Sequence, residues 1–381
     1  MKKNYTDYGM IFLFCILIGC PYLIWLFAGK YLEGKNQENR LLAERPQISE
    51  WSLTEILSFP QETETYINDH LPFRKQMINI QGKLNYYLLR SSIDKRVILG
   101  KNGWFYFNDT TNGDPIGGYK GRNLLTEYEL SRIADNMQVT KDNLKAEGID
   151  FIIFIPPDKE RVYTKNMPDY YGVPSEEYPI KQIIEYLQEH TDVKIVYPIE
   201  EMVRTAETLG DEVLLYLKTD THWTRAGAYV GARELLKECG IQLPEMLSEE
   251  IWIQEQESGA GDLARMLSIT DTLGKVKTYA PNGYPLNGVK CIKAEDNREL
   301  HYQSQSLDGR KIFILRDSFC SAMAPIIGSQ FRESIMWHNT TFNHDMIQKY
   351  QPDIFVMEMV ERIAPIEMFH FTYQGAEEAI P

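Results

Sequence analysis

At 381 residues, with 43% hydrophobic, 12% aromatic and 25% charged residues, the chain has the composition of a globular protein of one to two domains, which excludes a disordered or low-complexity polymer. Forty Lys and Arg against 54 Asp and Glu give a formal net charge of −14. That argues against nucleic-acid binding through bulk charge, and no basic cluster interleaved with aromatics relieves it.

The N-terminus carries 22 uncharged residues between Asp7 and Lys30, YGMIFLFCILIGCPYLIWLFAG. That length suffices for one membrane-spanning helix, and Lys2 and Lys3 before it favour a cytoplasmic N-terminus. A cleaved signal peptide is the alternative, but no small-x-small site ends the run. The expectation is therefore a cytoplasmic tip and transmembrane anchor over 1–32, with the main domain outside the cytoplasmic membrane. Residues 33–381 hold 37 basic and 53 acidic residues, a net −16. Cys15 and Cys20 lie in the span. One disulfide remains open among Cys239, Cys291 and Cys320, but this is no disulfide framework. No Cys/His cluster has zinc spacing, so neither metal nor cofactor is expected.

Residues 33–95 are predicted to form a lead-in or stalk, helical from Gln61 to Arg90 with Pro72 starting a second helix. Val97-Ile98-Leu99 and Trp104-Phe105-Tyr106-Phe107 flank Asn102-Gly103 and predict a β-hairpin. Asp109 to Arg122 is predicted to be a Gly-rich surface loop. Helix and strand then alternate. Helices are predicted over Leu125–Glu147, Tyr178–Glu189, Ile199–Thr208, Arg225–Cys239, Ser321–Ile327 and Asn343–Tyr350. Strands are predicted over Ile149–Ile155, Val193–Tyr197, Lys311–Leu315, Glu333–Trp337 and Asp353–Glu358, with 245–305 an irregular insertion. Mostly apolar strands separated by helices imply an α/β fold with a parallel sheet covered on both faces.

Two stretches carry the chemistry. Lys218-Thr219-Asp220-Thr221-His222-Trp223 follows the apolar run Val213–Tyr216, and Arg316-Asp317-Ser318-Phe319 follows Ile312–Leu315. Both are predicted as strand-to-turn-to-helix junctions, which in an open α/β sheet lie where ligands bind. A serine hydroxyl needs a base to take its proton, and an imidazole needs a carboxylate to fix its tautomer. The inference is Ser318 as nucleophile, His222 as general base and acid, and Asp220 as orienter. Taken singly, either motif is also an ordinary turn or cap. Trp223 suits core packing better than sugar stacking, and Trp104 and Tyr106 likewise. Asp158 and Lys159 suit either a site rim or a turn with a solvent salt bridge. Asp317 would cap a helix or brace the turn, Asp262 would border the site, and Cys320 would be a packed thiol.

Taken in order, several motifs resemble the SGNH-hydrolase-like domain of the alginate O-acetyltransferase family, AlgX and AlgJ, and the related bacterial DHHW proteins. They are Glu38-Asn39-Arg40, Gly100-Lys101-Asn102-Gly103-Trp104, Pro157-Asp158-Lys159, Thr219-Asp220-Thr221-His222-Trp223, Gly261-Asp262-Leu263, Asp317-Ser318-Phe319 and Tyr350-Gln351-Pro352-Asp353. The resemblance implies an SGNH-like, flavodoxin-like parallel sheet over 96–372, followed by a tail over 373–381. It implies the same Ser318, His222 and Asp220, and transfer of acetyl groups to hydroxyls of an extracellular polysaccharide. The implied acyl donor is a multi-pass membrane O-acyltransferase, and Trp223, Asp158, Lys159 and Asp262 are candidate substrate-binding residues. Position 316 is Arg where many SGNH enzymes carry Gly, and of the two oxyanion donors only the backbone N–H of Ser318 is assigned. An acetyl esterase with the same three residues is the second enzyme reading. A non-catalytic glycan-binding or scaffold subunit of an export complex is the third reading.

Overall fold

The structure, a computed structural model, describes residues 8–16, 19–20, 23–24, 42–48, 51–70, 74–295, 298–342 and 344–373. They divide into two units, the first ending at Leu89 and the second beginning at Arg90. Much of the predicted membrane span lies outside the described residues. Residues 8–16 are helical, but among the described residues no helix is long and apolar enough to cross a membrane.

In the first unit, helix α1 (Leu53–His70) begins at Leu53 rather than Gln61. Ser52 starts it, its Oγ accepting from Glu55 N at 3.2 Å. Pro60 is carried inside the helix. Pro72, predicted to open the next helix, lies outside the described residues. Helix α2 (Arg74–Lys83) follows and runs on into a π-helical turn, Leu84–Leu89.

The second unit opens with the predicted hairpin, β1 (Val97–Leu99) paired antiparallel with β2 (Phe105–Phe107). Its turn needs a left-handed residue at Asn102, φ 54°. The supposed surface loop is different: it contains helix α3 (Pro115–Tyr119), whose Pro115, Ile116 and Tyr119 are buried. Asp114 caps that helix, its Oδ1 accepting from Gly117 N at 3.0 Å.

Helix α4 (Glu127–Ala146) starts in a Thr126/Glu129 capping box. It is followed by β3 (Asp150–Phe154), the short α5 (Lys159–Val162), α6 (Pro179–His190), β4 (Lys194–Val196), α7 (Ile199–Leu209) and α8 (Arg225–Glu238). The predicted insertion holds a two-stranded ribbon, β5 (Trp252–Gly259) and β6 (Lys275–Asn282), with α9 (Asp262–Met266) and α10 (Thr270–Leu273) between them. Its last part is not an insertion: β7 (Lys290–Glu295) and β8 (Glu299–Gln303) extend the main sheet. Then come β9 (Lys311–Arg316), α11 (Cys320–Gly328), β10 (Glu333–His338), α12 (Asp345–Tyr350), β11 (Ile354–Glu358) and α13 (Ala364–His370).

The sheet runs β4-β3-β11-β9-β10-β8-β7. The first five strands are parallel, and β8 and β7 are antiparallel additions at one edge. Alternate residues of each strand point to opposite faces. Ile152, Phe154, Ile312, Ile314, Ile354 and Val356 meet α7, α8 and α11 on one face. Phe151, Ile153, Phe313, Leu315, Phe355 and Met357 meet α4, α6 and α13 on the other. Each such side chain, fully buried, contributes about 1.5–3 kcal/mol over leaving it exposed. Cysteines 239, 291 and 320 are all free. Cys320 is buried with its sulfur 3.9 Å from that of Met336.

Candidate active site

Ser318 lies two residues beyond the end of a strand buried on both faces. The apolar run Ile312–Leu315 forms β9, Arg316 ends it, and Asp317 turns the chain toward α11. Asp317 braces that turn with both oxygens, accepting from Phe319 N and from Val360 N at 2.8 Å each. Its own N–H donates to Glu358 Oε2 at 2.8 Å. Burial, with the charge of Asp317 nearby, lifts the Glu358 carboxyl well above the usual range. Arg316 is buried and donates from Nη1 to Asp317 O at 3.0 Å and to Ser321 Oγ at 3.2 Å. Arg316 therefore ties down the turn that carries Ser318.

The Asp220–His222 stretch is built otherwise. Val213–Tyr216 is not a strand of the sheet. Among the described residues its only ladder contact is an isolated bridge, Tyr216 to Trp223, because the chain folds straight back on itself. Leu217 N donates to His222 O and Thr224 N to Leu215 O, closing a narrow loop. Thr224 then caps α8, its Oγ1 accepting from Gly227 N at 3.2 Å. A Cβ at Gly227 would lie 2.1 Å from Leu215 O, so only glycine lets the helix approach this closely. Trp223 is buried and donates from Nε1 to Phe319 O at 3.0 Å, linking this loop to the serine turn. It is a packing residue.

The structure brings Ser318, His222 and Asp220 together. His222 Nδ1 donates to Asp220 Oδ1 at 2.7 Å, and Ser318 Oγ lies 2.7 Å from Nε2. A carboxylate only accepts, so the proton sits on Nδ1 and the serine hydroxyl donates to Nε2. Asp220 Oδ1 also accepts from His222 N at 3.0 Å, and Oδ2 accepts from Asp262 N at 2.9 Å. Burial works to raise the Asp220 carboxyl, but the bonds from His222 and Asp262 outweigh it and hold it down to about 2. Burial works to lower the His222 pKa, but the bond and charge of Asp220, with that of Asp262, raise it above its ordinary value. Ser318 is exposed at the surface end of this line.

Asp158, Lys159 and Asp262 are all placed at the site, though not as a solvated rim. Lys159 is buried, and its Nζ donates to the carbonyls of Leu217 (3.1 Å), Lys218 (3.3 Å) and Asp220 (2.6 Å). Desolvation lowers its pKa to about 8. The rings of Trp104 and Tyr106 lie 5.7 and 5.3 Å from its ammonium. Asp158 is buried and paired with Arg362, Nη1 to Oδ1 at 2.6 Å. Arg161 and Tyr197 hold Glu361 beside it at 2.5 and 2.9 Å, and Asp158 N donates to the same carboxylate at 2.8 Å. Glu361 and Arg362 are the site-supporting residues the sequence reading missed. Their signal is a charged pair three residues past an apolar strand end.

Asp262 opens α9 beneath the loop. Its Oδ1 accepts from Thr221 N at 2.8 Å and its Oδ2 from Thr221 Oγ1 at 2.5 Å. At Gly261 a Cβ would lie 2.3 Å from the Cβ of Asp220, so glycine there is a steric requirement of the site. Asp220, His222 and Asp262 also present donor atoms within 4.8 Å of one another. Those atoms are already engaged with Nδ1–H, backbone N–H and hydroxyl donors, which fits a proton-handling cluster better than a metal's ligand set.

The family model for the SGNH hydrolase-like domain of acetyltransferase AlgX matches residues 97–291. The chain belongs to that family. The match takes in Asp220, His222 and Asp262 and ends before Ser318. Two relatives are the probable alginate O-acetylases AlgJ of Pseudomonas fluorescens, 28% identical over 218 residues (54% of this chain, 50% of the relative), and of Pseudomonas putida, 25% identical over 244 residues (61% and 57%). The chain thus spans about half the length of the curated relatives it matches. Among solved structures, Bacillus cereus PatB1 superposes with a TM-score of 0.52 at 15% identity, over 72% of this chain and 99% of that one. At that identity the likeness is one of fold.

Proposed function

We infer that the chain is an O-acetyltransferase that moves acetyl groups onto hydroxyls of a cell-surface or exported polysaccharide through an acetyl-serine on Ser318. The observation that carries this reading is the continuous line Asp220–His222–Ser318, with both links at 2.7 Å, on a chain of the AlgX acetyltransferase family. Ser318 Oγ attacks the acetyl carbonyl while His222 Nε2 takes its proton. The donor's leaving oxygen departs with that proton, and acetyl-serine remains. A sugar hydroxyl then gives its proton to His222 and attacks the acetyl carbon. Ser318 Oγ leaves and recovers the proton. Asp220 holds the Nδ1–H tautomer throughout, and the backbone N–H of Ser318 is the first oxyanion donor.

The curated relatives are named for alginate, so alginate oligosaccharides are the acceptors to try first. Residues 1–32 anchor the chain in the membrane with the second unit outside, and a multi-pass membrane O-acyltransferase supplies the acyl group.

The test uses the full-length chain in detergent with a chromogenic acetyl ester, with and without alginate oligosaccharides, beside Ser318→Ala. Acetyl on sugar, and a 318-dependent acetyl adduct by mass spectrometry, are the expected results. Turnover to free acetate alone, even with acceptor present, replaces the transferase by an esterase. No turnover and no adduct leaves a non-catalytic subunit. The pH profile has a defined sign. His222 is a base only when neutral; burial works to lower its pKa, but the bond and charge of Asp220 raise it above the ordinary imidazole value, so turnover falls as pH drops through a value above that of a free imidazole. A rate that does not fall on the acid side contradicts His222 as the base.

A further inference from the structure

His222 faces two carboxylates, and the reading above uses one. Asp262 Oδ2 lies 3.8 Å from Nδ1, beyond hydrogen-bonding distance. The Thr221 hydroxyl stands between them, 3.2 Å from Nδ1 and 2.5 Å from Asp262 Oδ2. A hydroxyl has one proton, and with it given to Asp262, a lone pair is left facing Nδ1–H. The imidazole N–H thus meets Asp220 directly and Asp262 through a polarised hydroxyl.

We propose, resting on the acyl-transfer reading above, that Asp262 is a positioning residue: a second carboxylate, relayed to His222 Nδ1 by Thr221, that shares with Asp220 the charge of the imidazolium formed when Ser318 gives up its proton. The surrounding charges explain the need for two. Arg362, from the segment after β11, faces His222 as a cation and opposes its protonation. Lys159, from α5, faces both Asp220 and Asp262. From the turn after β9 come the Ser318 hydroxyl and the Phe319 ring, 4.9 Å from the imidazole, and neither brings charge. Asp158 pairs with Arg362 at 2.6 Å and offsets part of that charge, and Asp262 adds a second negative charge on the Nδ1 side that favours the imidazolium as Asp220 does. Gly261 and the Asp262 N–H to Asp220 Oδ2 bond fix it there.

A loop staple with no part in proton transfer would use the same bonds, so the test reads the imidazole itself. The full-length chain, with histidine carbon-labelled and the His222 signal assigned by its loss in His222→Gln, is titrated by NMR as parent, Asp262→Asn and Thr221→Val. The expected result is a His222 pKa lowered by about half a unit to one unit in Asp262→Asn, and by less in Thr221→Val. The acid limb of ester turnover should move to lower pH by the same amount. Thr221→Val keeps both carboxylates and decides the matter if Asp262→Asn does not fold. An unmoved His222 titration in the folded variants, even with activity lost, overturns the proposal and leaves a staple. The acyl-transfer reading falls separately, on absence of acetyl from Ser318.

Discussion

Ser318 stands at the carboxyl end of a strand whose neighbours bury it on both faces, whereas Asp220 and His222 stand on a loop that joins no sheet. The serine turn inherits its position from β9, β10 and β11 and needs only Asp317, Arg316 and Glu358 to finish it. The histidine loop is assembled from pieces distant in sequence. Lys159 comes from after β3, the hairpin gives Phe105 N to Lys218 O at 2.8 Å, and Gly261-Asp262 comes from the end of the ribbon strand β5. One half of the site is a consequence of the fold's layers. The other is a keystone that several segments must reach at once. Errors in the packing beneath the serine turn should unfold the protein. Errors in the histidine loop should leave it folded and inactive.

The largest expected effect breaks the line between the halves. Ser318→Ala or His222→Ala should each lower kcat by roughly 10³-fold or more with little change in melting temperature, since Ser318 is exposed and His222 partly so. The double variant should be no worse than either single, because the two side chains act as one unit. Additive losses would mean that they work separately.

Next in size is Gly261→Ala. The new methyl would meet Asp220 Cβ at 2.3 Å and Thr219 O at 2.6 Å, both on the loop. A displacement of about 1 Å costs on the order of 100-fold in rate. Circular dichroism should show the sheet intact. Global unfolding instead would show that the loop is part of the core rather than hung upon it.

Lys159→Met tests the support from below and should be milder. Methionine fills much of the space beside Trp104 and Tyr106 but leaves three carbonyls without their cation. We expect a stability loss of about 1–3 kcal/mol. Hydrogen exchange should rise at 217–222 while β9 and β11 stay protected. Uniform loss of protection would erase the distinction between the two halves.

That distinction also governs what could be read from the sequence. The apolar runs at 150–154, 311–316 and 354–358 are strands buried on both faces, and their residue types announce them. The meeting of Asp220, His222 and Ser318 was legible because a base-activated serine calls for those three side-chain types and each stretch follows an apolar run. Val213–Tyr216 misled because four apolar residues, three of them buried, look the same whether they pair with a sheet or with their own return strand. Lys159 looked like a turn residue because its acceptors lie 58 to 61 residues away. The ribbon β5–β6 lacked a signal because it is solvated and laced with ion pairs rather than apolar on one face. α3 was hidden by a Gly-rich composition that suggests a loop until Asp114 is seen to cap it.

The smallest expected effect lies on that ribbon. Lys277 pairs with Glu255 at 2.9 Å and Lys275 with Glu257 at 2.8 Å, all four well exposed. Exposed pairs contribute little, and the ribbon is fixed by its eight-residue register and by Tyr279 and Ala280, which are buried. Lys277→Ala should therefore match the parent in melting temperature and in ester turnover with water as acceptor. The informative comparison adds an oligosaccharide. The ribbon feeds Gly261-Asp262 into the site, so its outer face borders any long acceptor that reaches Ser318 along this side. If Lys277→Ala slows transfer to an anionic oligosaccharide while hydrolysis is unchanged, the acceptor lies along the ribbon. If both stay at the parent rate, the ribbon serves only to deliver Gly261 and Asp262, which follow β5, and Lys277 takes no part in holding the acceptor.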